Sequence, residues 1–186
     1  MNPAGSPMSQ APIDPALLRR ALGAFVTGVT VVTTRTSAGD PVGITVNSFN
    51  TVSLSPPLVL WSLSLRAASF EAFMQSSHFV VNVLGVHQIP LSERFAMTGG
   101  DKFSGVAWRK TLADMPLLDG TAASFTCRNV HRFPGGDHLI FVGEVVAFEQ
   151  GVCAPLVYAN GGYTELRDGS DAARSADKSR NMLASR

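Results

Sequence analysis

Three short stretches of this 186-residue sequence carry side chains able to do chemistry. In Gly43-Ile44-Thr45-Val46-Asn47-Ser48-Phe49, a β-like run places Thr45, Asn47 and Phe49 on one face and Val46 and Ser48 on the other. Asparagine is depleted in strands, so Asn47 needs a polar partner there. Leu60-Trp61-Ser62-Leu63-Ser64-Leu65-Arg66 ends an apolar strand in hydroxyls and a guanidinium, just ahead of a helix start expected near Ser69. Hydroxyls, an arginine and free helical N–H groups together suit a phosphate. Taken singly, the same residues suit a strand end facing water and an N-cap serine equally well. Gly136-Asp137-His138 sets an imidazole beside a carboxylate, in a segment that turn chemistry alone reads as a plain hairpin.

Other chemistries lack their residues. No two glycines are separated by a single residue, so the G-x-G-x-x-G fingerprint of a Rossmann site is absent. Gly23 and Gly28 have the outer spacing of a P-loop, but Val29 and Thr30 stand where Lys and Ser/Thr belong. There is no G-x-S-x-G elbow. His78, His87, His131 and His138 show no metal-ligand spacing, so no metal is expected. Cys127 alternates with Phe125 along a strand and reads as a buried thiol.

The elements that must position these residues follow from periodicity. Asp14-Pro15 opens a helix whose Leu17, Leu18, Ala21, Leu22 and Phe25 share one face. Strands are predicted over Val29–Thr34 and Val42–Phe49, joined by the turn Ser37–Pro41, and again over Leu58–Leu65 and His78–Leu84. Helices are predicted over Ser69–Ser76 and Gln88–Met97, and two further strands, Ala122–Val130 and His138–Phe148, flank the turn Phe133–Asp137. Short strands, tight turns and small helices indicate a mostly β protein of barrel type. One domain over residues 14–166 is expected, between flexible tails at 1–13 and 167–186.

Composition bounds the partners. Hydrophobic residues make up 45% of the chain and charged residues 16%, so much of it must be buried in a core or a subunit interface. A net charge of +1 gives no field for nucleic acid or anionic lipid. Two cysteines exclude a disulfide scaffold, and neither a signal peptide nor a membrane span is evident, which predicts a cytoplasmic protein.

In order along the chain, Thr27–Thr34, Gly43–Phe49, Val52–Leu58, Phe79–Leu84, Lys102–Val106, Gly136-Asp137-His138 and Pro155–Tyr158 resemble the short-chain flavin reductase family. Its members are the reductase components of two-component flavin-dependent monooxygenases. A small departure is Asn50-Thr51, where the family often carries a small residue and Ser. The resemblance implies an FMN-binding split β-barrel that forms a homodimer, takes FMN or FAD, and draws hydride from NADH or NADPH for a separate oxygenase. By position, Thr45, Val46, Asn47 and Ser48 would line the isoalloxazine, and Ser62, Leu63, Arg66 and Ser69 would hold the ribityl chain and phosphate. Asn82, Lys102 and Thr30 would be further cofactor neighbours, and Tyr163 would either close over the rings or cap the core. His138 would serve the nicotinamide step. The alternative is a flavin carrier or store on the same barrel, without reductase turnover.

Overall fold

A computed structural model describes residues 12–166. The flexible tails expected over 1–13 and 167–186 lie outside them, apart from Pro12 and Ile13. The chain opens with α1 (Pro15–Leu22), whose cap is the expected one: the Asp14 carboxylate accepts from the Ala16 N–H at 2.7 Å. Two strands follow, β1 (Thr27–Gly28) and β2 (Thr30–Arg35). Next come β3 (Pro41–Val46), β4 (Asn50–Leu54) and β5 (Pro57–Ser64). The helix α2 (Phe70–Gln75), the strand β6 (His78–Val83) and, after one 3-10 turn, the helix α3 (Ile89–Ala96) complete the first half. The second half is β7 (Trp108–Lys110), β8 (Pro116–Leu118), β9 (Ala123–Gly135), β10 (His138–Gln150), β11 (Val157–Ala159) and β12 (Gly162–Thr164).

Seven strands form one antiparallel sheet in the order β3-β2-β6-β9-β10-β5-β4. Strand β5 shows why it folds as it does. Val59, Trp61 and Leu63 alternate inward, while Leu58, Leu60, Ser62 and Ser64 face the other way. The inward set meets Phe73, Phe79, Val81, Cys127 and Phe141 in one core, with Trp61 stacked on Phe141 at a centroid distance of 4.8 Å. Burial pushes the Cys127 thiol up to about 12, which leaves it an inert core group.

Strand β2, next to edge strand β3, is buried on both faces, so its outer face supports a second core that includes Val31, Leu84, Phe95, Phe103, Leu118 and Leu156. Helix α3 lies over this outer core and against β3. The approach is possible because residue 43 is glycine; a Cβ there would sit 2.5 Å from the Phe95 ring. The sheet curls without closing, and residues 47–49 alone carry the chain from edge strand β3 to the opposite edge strand β4. The Ser48 hydroxyl donates to the Ser62 carbonyl at 3.1 Å and accepts from the Ser62 N–H at 3.0 Å, tying the exit of β3 to β5. The result is the split-barrel arrangement, with β1, β11 and β12 as a separate three-stranded sheet beside the seam.

The pairing departs from expectation at two places that matter for the site. The strand predicted to run to Phe49 stops at Val46 and bends at Asn47, since the chain must turn there to start edge strand β4. The β9–β10 hairpin is longer than predicted and turns in two residues, Gly136 and Asp137, with Gly136 at φ 68°.

Candidate active site

Two cavities flank β3 and share Ala96 of α3. The smaller, about 250 Å³, lies where β3 leaves the sheet and is lined by Val29, Thr45, Val46, Asn47, Tyr158 and Tyr163, with Ser92 at its back. Its polar side chains are mostly spoken for. The Thr45 hydroxyl donates to the Ser92 carbonyl at 2.6 Å, and the Tyr163 hydroxyl donates to Ser92 Oγ at 2.9 Å. What remains for a ligand is apolar wall and the exposed Asn47, which stands where ladder pairing ends. This cleft suits a flat ring with polar edges.

The larger groove, about 720 Å³, runs along the outside of β3 between α2 and the loop after α3. Arg66, Ser69 and Lys102 line it. Among the described residues the Arg66 guanidinium has no hydrogen-bond partner, and Ser69 spends its hydroxyl on no capping bond. Lys102 donates to the Phe95 carbonyl at 3.0 Å, and burial lowers its pKa from the ordinary lysine value. Two cations and a hydroxyl line this groove, with the Glu71 and Asp101 carboxylates also on its wall, and among the described residues neither cation forms a salt bridge. Such cations and hydroxyls are donors a phosphate can use. The groove thus offers donors of the kind a flavin phosphate needs, and the cleft an apolar wall of the kind its ring needs.

Several expected contacts fall elsewhere. Asn82 is 0% exposed and fully used: its amide donates to the Val31 carbonyl and Thr33 hydroxyl, and its oxygen accepts from the Leu118 N–H. It ties β6 to β2 and β8, and it touches neither cavity. Thr30 is buried, with its hydroxyl donated to the Val46 carbonyl at 3.0 Å, so it holds the end of β3 in place. The Leu63 side chain belongs to the inner core. Ser48 and Ser62 form the clasp described above instead of lining a cavity. The phosphate has no long helix N-terminus to meet, because α2 has only six residues.

His138 lines neither cavity. It opens β10, paired with Ser64, and its Nδ1 lies 2.7 Å from Asp137 Oδ1. This contact, with a smaller contribution from Arg66, holds the Asp137 carboxyl below its ordinary pKa. His138 and Arg66 thus belong to the same end of the sheet. The residues missed from sequence are Ser92, which anchors both Thr45 and Tyr163, and the loop 97–101 that walls the groove. Ser92 had a signal: it stands three residues from both Ile89 and Phe95, on the apolar face of α3.

The flavin reductase like domain matches residues 22–167, a span that includes both cavities. The chain belongs to this family. The FMN reductase (NADH) SmoA of Agrobacterium fabrum is 44% identical over 145 residues, covering 78% of this chain and 82% of that protein. The reductase component of the flavin-dependent trigonelline monooxygenase of Acinetobacter baylyi is 40% identical over 159 residues, covering 85% of this chain but 51% of the relative. A Rhizobium meliloti relative is likewise matched over 54% of its length, so the chain spans about half of these longer relatives. Among solved structures, the NADH:FAD oxidoreductase SgcE6 of Streptomyces globisporus superposes with a TM-score of 0.79 at 35% identity, covering 85% of this chain and 98% of that one. The mostly β architecture with few short helices is that of the flavin reductases.

Proposed function

We propose that this chain is an NAD(P)H:flavin oxidoreductase that reduces FMN or FAD with NADH or NADPH and releases the product to a separate oxygenase component. The observation that carries this reading is the pair of neighbouring cavities beside β3, an apolar cleft and a groove whose cations form no salt bridge, with Ala96 common to both. The names of the relatives, an NADH-dependent FMN reductase and monooxygenase reductase components among them, support it.

Flavin supplies the hydride-accepting chemistry when bound, so the protein needs no nucleophile. Its residues hold and orient. Arg66, Ser69 and Lys102 take the phosphate. Val46 and Tyr163 flank the ring, held at their spacing by Thr30 and Ser92, and Asn47 offers an amide to the ring edge. His138, bonded to Asp137 through Nδ1, stands outside both cavities, and its part in the nicotinamide step is carried by the family resemblance alone. Fixing two reactants in contact is the main source of acceleration in such a reaction.

The assembly is a homodimer in this reading. Leu17, Leu22 and Phe25 of α1 and its exit are 63%, 64% and 71% exposed, and no residue of α1 is buried, so its apolar face is left for a second copy. Free Cys127 and Cys153 fit the reducing cytoplasm. The test is an anaerobic assay crossing NADH and NADPH with FMN, FAD and riboflavin. Loss of the oxidised flavin absorbance at catalytic protein concentrations is the expected result. Flavin binding without turnover would make the protein a carrier instead.

A further inference from the structure

A cavity of about 360 Å³ shares no lining residue with the two beside β3. It lies where the 3-10 turn before α3, the exit of β8, the start of β9 and the end of β10 come together. Cys153 and His87 close on one point in its wall. A methyl group on Gly85 would stand 2.6 Å from Cys153 Sγ and 3.0 Å from His87 Nδ1. The Cys153 thiol donates to the Gly120 carbonyl at 3.6 Å, and a methyl group on Gly120 would stand 3.5 Å from His87 Nε2. Thiol and imidazole are thus held against the same two backbone positions, and the ring makes no hydrogen bond among the described residues.

The cavity also holds acceptors with nothing to accept. Ser124 lines it and is 3% exposed, yet its hydroxyl has no partner among the described residues. Glu149 stands opposite Ser124 in the β9–β10 register. Asp119 and Glu149 share the single guanidinium of Arg109, so negative charge is left over in the wall. We infer that this cavity is a thiol-exchange site, in which Cys153 forms a mixed disulfide with a small disulfide carrying an ammonium group, cystamine being the simplest. His87 takes the Cys153 proton, and the thiolate attacks one sulfur of the disulfide. A bond forms between Sγ and that sulfur as the disulfide bond breaks. Cys153 is oxidised, and the departing half leaves reduced, as a thiolate that recovers the proton from His87. The ammonium of the half that stays donates to the Ser124 hydroxyl and the Glu149 carboxylate. Cys127 takes no part, because it is packed in the inner core.

The full chain is treated with cystamine or with the anionic disulfide dithiodiglycolate, and adducts are followed by intact mass and located by peptide mapping. Each rate is taken relative to that disulfide's rate with 2-mercaptoethanol. The expected result is a single adduct on Cys153, reversed by dithiothreitol, formed about fivefold faster from cystamine. His87→Gln slows both reactions about tenfold or more, and Glu149→Gln brings the two rates within about twofold of each other. Absence of an adduct on Cys153 overturns the inference. So does a rate that His87→Gln leaves unchanged, or a rate equal for the two disulfides in the wild-type protein, since Cys153 is then an ordinary surface thiol.

Discussion

The two ends of the site are built on opposite principles. In the cleft around Asn47, the hydroxyls of Thr45 and Tyr163 are consumed by Ser92, so a ligand meets apolar surface and backbone. In the groove, Arg66 and Ser69 keep their polar groups unengaged. Binding energy at the cleft must come from shape, and at the groove from charge. Substitutions at the cleft should therefore act on every flavin alike. Those at the groove should sort flavins by whether they carry a phosphate.

The largest effect is expected where the two ends share a support. Gly43→Ala drives a methyl into the Phe95 ring and pushes α3 away from β3, which walls both cavities. Overpacking of this kind costs about 1–3 kcal/mol, read as a lowered urea midpoint, with binding of FMN and riboflavin lost together. Second, Arg66→Ala weakens FMN by about 10–100-fold in fluorescence titrations and leaves riboflavin within twofold, as removal of a charge-assisted contact requires. Equal losses for both ligands would place the phosphate elsewhere.

A smaller change is expected from Tyr163→Phe. It removes one bond to Ser92, worth about 1 kcal/mol, and weakens FMN, FAD and riboflavin about fivefold each. Smallest is the pH dependence of the groove. Burial already lowers the Lys102 pKa, so its charge is lost at a lower pH than for an exposed lysine. Phosphate binds the protonated form. The advantage of FMN over riboflavin therefore shrinks as pH rises through that lowered value, and Lys102→Arg keeps the advantage at high pH.

The contrast between Asn47 and Asn82 shows how far the sequence could be read. Both are asparagines in β-like runs, and the family resemblance makes Asn47 a ring contact and Asn82 a further cofactor neighbour. Asn47 ends an edge strand and faces solvent, while Asn82 lies in a strand between β2 and β9. What saturates Asn82 is the Leu118 N–H, 36 residues downstream, a pairing that no local pattern reveals. The serines are a different case, because Ser48 and Ser62 continue the β4–β5 register in which Asn50 opposes Leu60, a local hairpin pairing that depends on edge strand β4, for which no strand was predicted. Local chemistry was legible: the Asp14 cap, the inward alternation of β5 and the Gly136-Asp137 turn all follow from neighbours in sequence. The strands β7, β8, β11 and β12, three residues each, were not, because pairing rather than propensity defines them.

The most direct measurement is a crystal structure of the protein with FMN bound. The ring is expected against Val46 and Asn47 beneath Tyr163, with the phosphate within hydrogen-bond distance of Arg66, Ser69 and Lys102. A ring bound away from β3, or a phosphate that leaves Arg66 and Lys102 without contact, would contradict the assignment of cleft and groove as one flavin site.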